Sequence, residues 1–114
     1  MSLPTEGKLL RVFVGESDRW EGRPLYEAIV LLARKRGLAG ATVIKGFMGF
    51  GAHSLIHTAK LLELSQDLPI IVEIVDAPAK IEAFMPELEK MVGDGLITIE
   101  RAEVLLYRTR RSTP

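Results

Sequence analysis

The feature that most limits this chain is an order that occurs twice: an extended apolar run, an amphipathic helical run, and a second extended run. In the first half, Leu10, Val12 and Val14 alternate with Leu9, Arg11 and Phe13, the period of a strand with one face well buried. Gly15-Glu16-Ser17-Asp18 ends it. Pro24 then offers the fixed φ that suits a first helical turn. Leu25, Ala28, Ile29, Leu32 and Ala33 follow at i, i+3, i+4, i+7 and i+8, a continuous helical stripe. Arg34, Lys35 and Arg36 load the last turn with the charge its dipole favours, and Gly37 is placed to end the helix. A second strand is expected from about Ala41 to Phe47.

The second half repeats the order. Pro69-Ile70-Ile71-Val72-Glu73-Ile74-Val75-Asp76 is a β-branched strand whose leading proline belongs at a strand start. Pro78 opens a second stripe of Ile81, Phe84, Met85, Leu88, Met91 and Val92. Pro86 lies inside it and removes a backbone bond at about 3 kcal/mol, so a kink or break is expected near Ala83 to Met85. Gly93-Asp94-Gly95 terminates the helix, and Leu96-Ile97-Thr98-Ile99 starts a fourth strand. Val104-Leu105-Leu106-Tyr107 either continues that strand or forms a short extra one. Two such units imply an α+β, ferredoxin-like β-α-β-β-α-β sandwich, one antiparallel sheet covered by two helices. A doubly wound parallel sheet is the structural rival, but two long helices would cover only one of its faces. The expected organisation is a disordered leader at 1–7, one domain at 8–108 and a disordered tail at 109–114.

With 114 residues, the chain has room for one core, and 47% hydrophobic content is enough to fill it. The absence of cysteine excludes disulfides, zinc–thiolate sites and cysteine nucleophiles. Fifteen basic and fifteen acidic side chains cancel, which removes the bulk electrostatic drive toward nucleic acid. Arg108, Arg110 and Arg111 read as a solvated end. Met1-Ser2-Leu3-Pro4-Thr5 has neither the basic nor the apolar region of a signal peptide, and no apolar run approaches the roughly 18 residues of a membrane span. A soluble, cytoplasmic protein is expected.

The connector from Met48 to Leu68 is long, about 21 residues where two to six are usual, and such links are often functional. Ala52, Leu55, Ile56, Ala59 and Leu62 are spaced as a short amphipathic helix. At its start, Gly46-Phe47-Met48-Gly49-Phe50-Gly51 is the leading candidate site. Three glycines let backbone amides converge on an anion, although a glycine-rich strand end is also an ordinary tight turn. Gly93-Asp94-Gly95 invites the same two readings. In a split β-α-β fold the two glycine segments flank strands on opposite edges, so only neighbouring subunits could bring them together. His53 and His57, at i and i+4, would share a helix face and could hold a metal, with Glu63 and Asp67 available nearby. Glu73 in an apolar strand is explained by an edge or interface position with an arginine partner, and Ser54 sits in no nucleophile elbow. No catalytic constellation emerges.

Taken together, the residues become familiar. Gly15-Glu16-Ser17-Asp18, Pro24-Leu25-Tyr26-Glu27, Gly40-Ala41-Thr42-Val43-Ile44-Lys45-Gly46 and Met48-Gly49-Phe50-Gly51 resemble the PII-like superfamily, most closely its uncharacterised branch known as domain of unknown function 190. Asp67-Leu68-Pro69-Ile70, Val72-Glu73-Ile74-Val75-Asp76 and Gly95-Leu96-Ile97-Thr98 extend the resemblance across residues 8–107. It implies a non-catalytic signalling protein, a homotrimer with sheets facing inward and adenine nucleotide bound between subunits. By that likeness Lys45, Gly46, Phe47, Met48, Gly49, Phe50 and Gly51 form one wall of the site, and Gly93, Asp94 and Gly95 the other. The resemblance also implies an unidentified regulated protein, for which PII relatives suggest a membrane transporter, and no resident cofactor. A PII protein carries lysine where this chain has Leu96, and Arg-Gln where it has Phe50-Gly51. Fewer phosphate-binding groups favour AMP or ADP over ATP. A small trimeric metal-responsive protein using His53 and His57 is the alternative.

Overall fold

The computed structural model describes residues 5–51, 57–58 and 67–109. In chain order the elements are β1 (Glu6–Gly15), β2 (Arg19–Trp20), β3 (Arg23–Pro24), α1 (Leu25–Lys35), β4 (Thr42–Lys45), β5 (Met48–Gly49), β6 (His57–Thr58), β7 (Pro69–Asp76), α2 (Pro78–Met91) and β8 (Leu96–Glu103). β4, β7, β1 and β8 form one sheet in that order, and every neighbouring pair is antiparallel. This is the expected split β-α-β arrangement. β1 begins at Glu6, inside the segment assigned to a leader.

The alternation in β1 and β7 decides which face is covered. Leu10, Val12 and Val14 of β1 and Ile70, Val72 and Ile74 of β7 are buried. They pack with Leu25, Ala28, Ile29 and Ala33 of α1 and with Ile81, Phe84, Leu88 and Met91 of α2 in one core. α1 ends as its sequence dictates, with Gly37 in the left-handed region at φ 76°. Across Pro86, α2 runs unbroken from Pro78 to Met91, so the break expected near Ala83 to Met85 does not occur. Ile81 and Phe84 before the proline and Leu88 and Met91 after it are all buried. At about 1.5–3 kcal/mol each, their burial together exceeds the cost of the missing hydrogen bond.

Two local features carry no signal in the periodicity. β2 and β3 form a hairpin around Glu21 (φ 47°) and Gly22 (φ 86°), and positive φ at both central positions marks a primed turn. The hairpin lays Trp20 against the core. The second feature is β5 pairing with β6, Met48 opposite Thr58 and Gly49 opposite His57. Thr58 is β-branched and suits a strand, and cross-strand pairing satisfies backbone groups that a helix would have bonded internally. The helical stripe predicted over Ala52 to Leu62 therefore does not run through these two positions. Residues 52–56 and 59–66 lie outside the described part of the chain.

Asp76, 2% exposed, fastens one end of the sheet. Its Oδ2 accepts the Ala39 amide at 2.8 Å and its Oδ1 the Ala77 amide at 2.6 Å. One carboxylate thus joins the approach to β4 with the entry to α2. Arg36, just past α1, makes a forked pair of hydrogen bonds to Glu87 of α2.

No helix among the described residues covers the second sheet face. The registers arrange it in rows: Ile44, Ile71, Phe13 and Leu96 form an apolar row, and Thr42, Glu73, Arg11 and Thr98 form a polar one. Val75, Leu9 and Glu100 follow. Residues 104–109 cross this face at the Asp76 end, where the Val104 amide donates to Thr5 O and the Tyr107 hydroxyl donates to Ala39 O at 3.3 Å. Among the described residues, no helix is long and apolar enough to cross a membrane.

Two outcomes test this packing. Leu88→Ala should lower unfolding free energy by about 2–5 kcal/mol, read from the urea midpoint at an unchanged slope. The hydrogen bond from Arg36, aided by its charge, holds the Glu87 carboxyl below its ordinary value of 4.5. A lowered folded-state value stabilises above the unfolded-state value and is lost as pH falls through the folded one. Glu87→Gln should therefore lower the urea midpoint at pH 7 and leave it unchanged once acid has protonated Glu87 in both states.

Candidate functional site

Four strand ends meet at the end of the sheet remote from Asp76. β1 and β4 finish there, and β7 and β8 begin there, as the pairs Gly15 with Pro69, Lys45 with Ile70 and Phe13 with Leu96 require. This end therefore gathers Gly15-Glu16-Ser17-Asp18, Lys45 to Gly51, Asp67 to Pro69 and Gly93-Asp94-Gly95.

The glycines in these segments answer to close packing. A Cβ on Gly46 would lie 2.9 Å from Pro69 Cγ, and one on Gly49 would lie 3.0 Å from the same atom. The Gly46 amide also donates to Pro69 O at 2.8 Å. The turn thus lies flat on the proline ring, and its larger side chains are turned outward. Phe47, Met48 and Phe50 are 75%, 59% and 72% exposed. On the other strand, a Cβ on Gly95 would meet Phe13 O at 2.6 Å, whereas Gly93 has open space around it.

Polar groups surround the first of these walls. Lys45 Nζ lies 2.7 Å from Glu16 Oε2. Asp18 Oδ2 accepts the Gly15 amide at 2.9 Å, and Asp67 Oδ1 accepts the Ser17 amide at 2.8 Å. The Glu16 amide donates to Leu68 O at 2.9 Å, tying the loop after β1 to the approach of β7. The family resemblance points to Lys45 as a site residue but not to Glu16; the two are paired across 29 positions by the fold.

Of the predicted site residues, Gly46 and Gly49 lie on Pro69, Lys45 meets Glu16, and Phe47, Met48 and Phe50 are exposed beside them. Gly93, Asp94 and Gly95 lie at the same end but on β8, the opposite outer strand. At about 4.8 Å per strand spacing, three spacings separate the walls by roughly 14 Å. That distance is too great for one phosphate to bond to both with hydrogen bonds of about 3 Å. Two clefts of the single chain lie elsewhere. One of about 440 Å³ sits on the open face, lined by residues 39–42, Glu73, Val75 and the crossing segment at Val104, Leu106 and Tyr107. Another of about 530 Å³ lies beside the helices, between Trp20, Leu31, Leu32 and Met91.

His57 lies in β6, so the expected helix face does not run through it. His53, Ser54 and Glu63 are outside the described residues. Asp67 is engaged with the Ser17 amide. Glu73 has the arginine partner that its position called for, within its own chain: Arg11 donates from Nε to Glu73 Oε2 at 2.9 Å and from Nη1 to Glu100 Oε1 at 3.1 Å. The hydrogen bond to Glu73, with the nearby carboxylate charges, raises the guanidinium pKa above its already high value.

Comparison with known proteins places this geometry. Residues 7–104 match the DUF190 family, described as Uncharacterized ACR, COG1993. A UPF0166 protein of Aquifex aeolicus is 43% identical over 98 residues, covering 86% of this chain and 92% of the relative. A UPF0166 protein of Methanocaldococcus jannaschii is 33% identical over 100 residues, covering 87% and 92%. Among solved structures, the chain is similar to CPII from Thiomonas intermedia K12 bound to ADP and bicarbonate, with a TM-score of 0.65 at 15% identity, covering 87% of this chain and 88% of that one. The same nitrogen regulatory PII-like protein bound to ADP, AMP and bicarbonate aligns with a TM-score of 0.64 at 12% identity, covering 90% and 97%. The chain belongs to the DUF190 family, and it shares its ferredoxin-like α+β fold with the PII-like protein CPII.

Proposed function

We propose that this protein is a non-catalytic PII-like signalling protein of the cytoplasm. It binds an adenine nucleotide between the subunits of a homotrimer, AMP or ADP in preference to ATP, and regulates a partner protein. The observation that carries this reading is the separation of the two glycine walls, at one end of the sheet but on its two outer strands. A neighbour that sets its β8 edge beside this chain's β4 edge closes the gap between Gly46–Gly51 and Gly93–Gly95. The nucleotides held by CPII support the ligand class.

The uncovered sheet face supports the oligomer. Ile44 and Leu96 at the two ends of its apolar row are exposed in the single chain, and Leu105 and Leu106 add to the apolar surface of the molecule. An exposed apolar row on an uncovered sheet face supports an interface there. The polar row beside it is already paired through Arg11, so covering it strands no charge on Arg11 or Glu73.

Titration calorimetry with AMP, ADP, ATP and cyclic AMP, together with sedimentation equilibrium, is the direct test. A trimeric mass with micromolar binding of AMP or ADP, tighter than ATP, is expected. A monomer at micromolar concentration, or no heat from any of the four, sinks the reading. Ile71→Glu places a charge in the apolar row without touching the helix-side core. It should convert the trimer to monomer, abolish nucleotide binding, and leave the circular dichroism spectrum in place.

A further inference from the structure

The cation of the first glycine wall is not free. Lys45 Nζ is held by Glu16 Oε2 at 2.7 Å, with Lys45 about half exposed and Glu16 less so. The loop that carries Glu16 is fixed on both sides. The Glu16 amide bonds to Leu68 O, the preceding Gly15 amide to Asp18, and the following Ser17 amide to Asp67. A Cβ on Gly15 would come within 2.6 Å of Asp67 Oδ1, so the carboxylate of Asp67 lies directly on the loop backbone. Three carboxylates thus hold or flank this loop, Asp18 and Asp67 on its backbone amides and Glu16 on the Lys45 ammonium.

That balance is unusual for a surface meant to meet phosphate. An ammonium has three donors, and Glu16 takes one of them. A phosphate that reaches Lys45 must share it with Glu16 or displace the carboxylate, and in either case negative charge sits beside negative charge. A phosphate monoester already carries about −2 at neutral pH, and a longer chain brings more charge into the same field. Asp18 and Asp67 are engaged with backbone amides of the loop. Glu16 is the one of the three that contacts the ammonium directly.

We infer that Glu16 is the specificity-determining residue for phosphate number in the nucleotide site, a step that rests on the nucleotide reading above. Its carboxylate orients Lys45 toward a single phosphate and repels the additional charge of a polyphosphate. Preference for few phosphates then has two sources in this chain: Leu96 and Phe50-Gly51 offer no cation, and Glu16 opposes the surplus anion. The second source is active discrimination against the longer ligand rather than weaker attraction to it.

The test is calorimetry with AMP, ADP and ATP at fixed ionic strength in EDTA, on wild type, Glu16→Gln, Lys45→Met and the double variant, each first confirmed as the wild-type oligomer. Glu16→Gln should tighten ATP relative to AMP by roughly tenfold, the scale of one like charge removed a few ångströms from the ligand. Lys45→Met should weaken all three ligands. In the double variant the gain from Glu16→Gln should shrink, because the two side chains act through one contact. An unchanged ATP-to-AMP ratio in Glu16→Gln, with wild type still binding, overturns this inference and leaves the proposed function standing. A loss of ATP affinity in Glu16→Gln likewise overturns it, showing that Glu16 only positions Lys45. Absence of binding by wild type removes the proposed function and this inference with it.

Discussion

β1 and β7 pair over eight residues, from Lys8 opposite Asp76 to Gly15 opposite Pro69, and this one register determines most of what the rest of the chain does. It aligns Leu10, Val12 and Val14 with Ile74, Val72 and Ile70 on the helix side, where they form the floor of the core. It also sets Arg11 opposite Glu73 on the other side, where the two form an ion pair. Because side chains alternate with a period of two, a slip by one residue would send the apolar set to the open face and the ion pair into the core. The outer strands depend on this central pair. β4 reads its register from β7 and β8 reads its own from β1. Both glycine walls are thereby delivered to the end of the sheet where Gly15 and Pro69 meet.

The two ends of the sheet are built differently. At one end, Asp76 is buried and both of its oxygens accept backbone amides, so the chain is fastened by a charge with no solvent to compete. At the other, Glu16, Asp18, Asp67 and Lys45 remain part-exposed and the loops lean on Pro69 and Phe13 O through glycine. The first arrangement holds the fold, since an unpaired buried carboxylate would cost several kcal/mol. The second leaves aromatic rings and an ion pair at the surface, where a ligand or a neighbouring subunit can rearrange them at little cost.

Legibility in the sequence followed the range of the interaction that decides each feature. α1 was readable from its stripe and its C′ glycine, because helix contacts are local. β7 was readable because its alternation is long and proline-bounded. Pro86 misled because a local penalty is outweighed by apolar contacts on either side of it, which are tertiary. The β2–β3 turn and the β5–β6 ladder are two residues long on each side, too short to show a period. At the site, the glycine segments stood out by composition, and Lys45 only through the family resemblance. Glu16 did not, since nothing local distinguishes a carboxylate that meets a lysine 29 positions away from one in water. Glu73 was half legible: an acid in an apolar strand calls for a cation, but only the register identifies Arg11.

The Arg11 pairs also bear on how the open face could be covered at all. A charged row across a sheet would ordinarily forbid burial, because each ion must be stripped of water. Here Glu73, on an inner strand, has a side chain 30% exposed and bonds the guanidinium at Nε, while Glu100, on the outer strand β8, is 59% exposed and takes Nη1. The carboxylate that an assembly would bury most deeply is thus the one already neutralised within the chain. The surplus negative charge sits on the outer strand, where the rim of an interface keeps its water. An assembly that covered this face would draw its association energy from the apolar row of Ile44, Ile71, Phe13 and Leu96. Such an assembly would use the polar row to set alignment, since a partner displaced by two residues along the strands would lay apolar surface over Arg11 and its two acids.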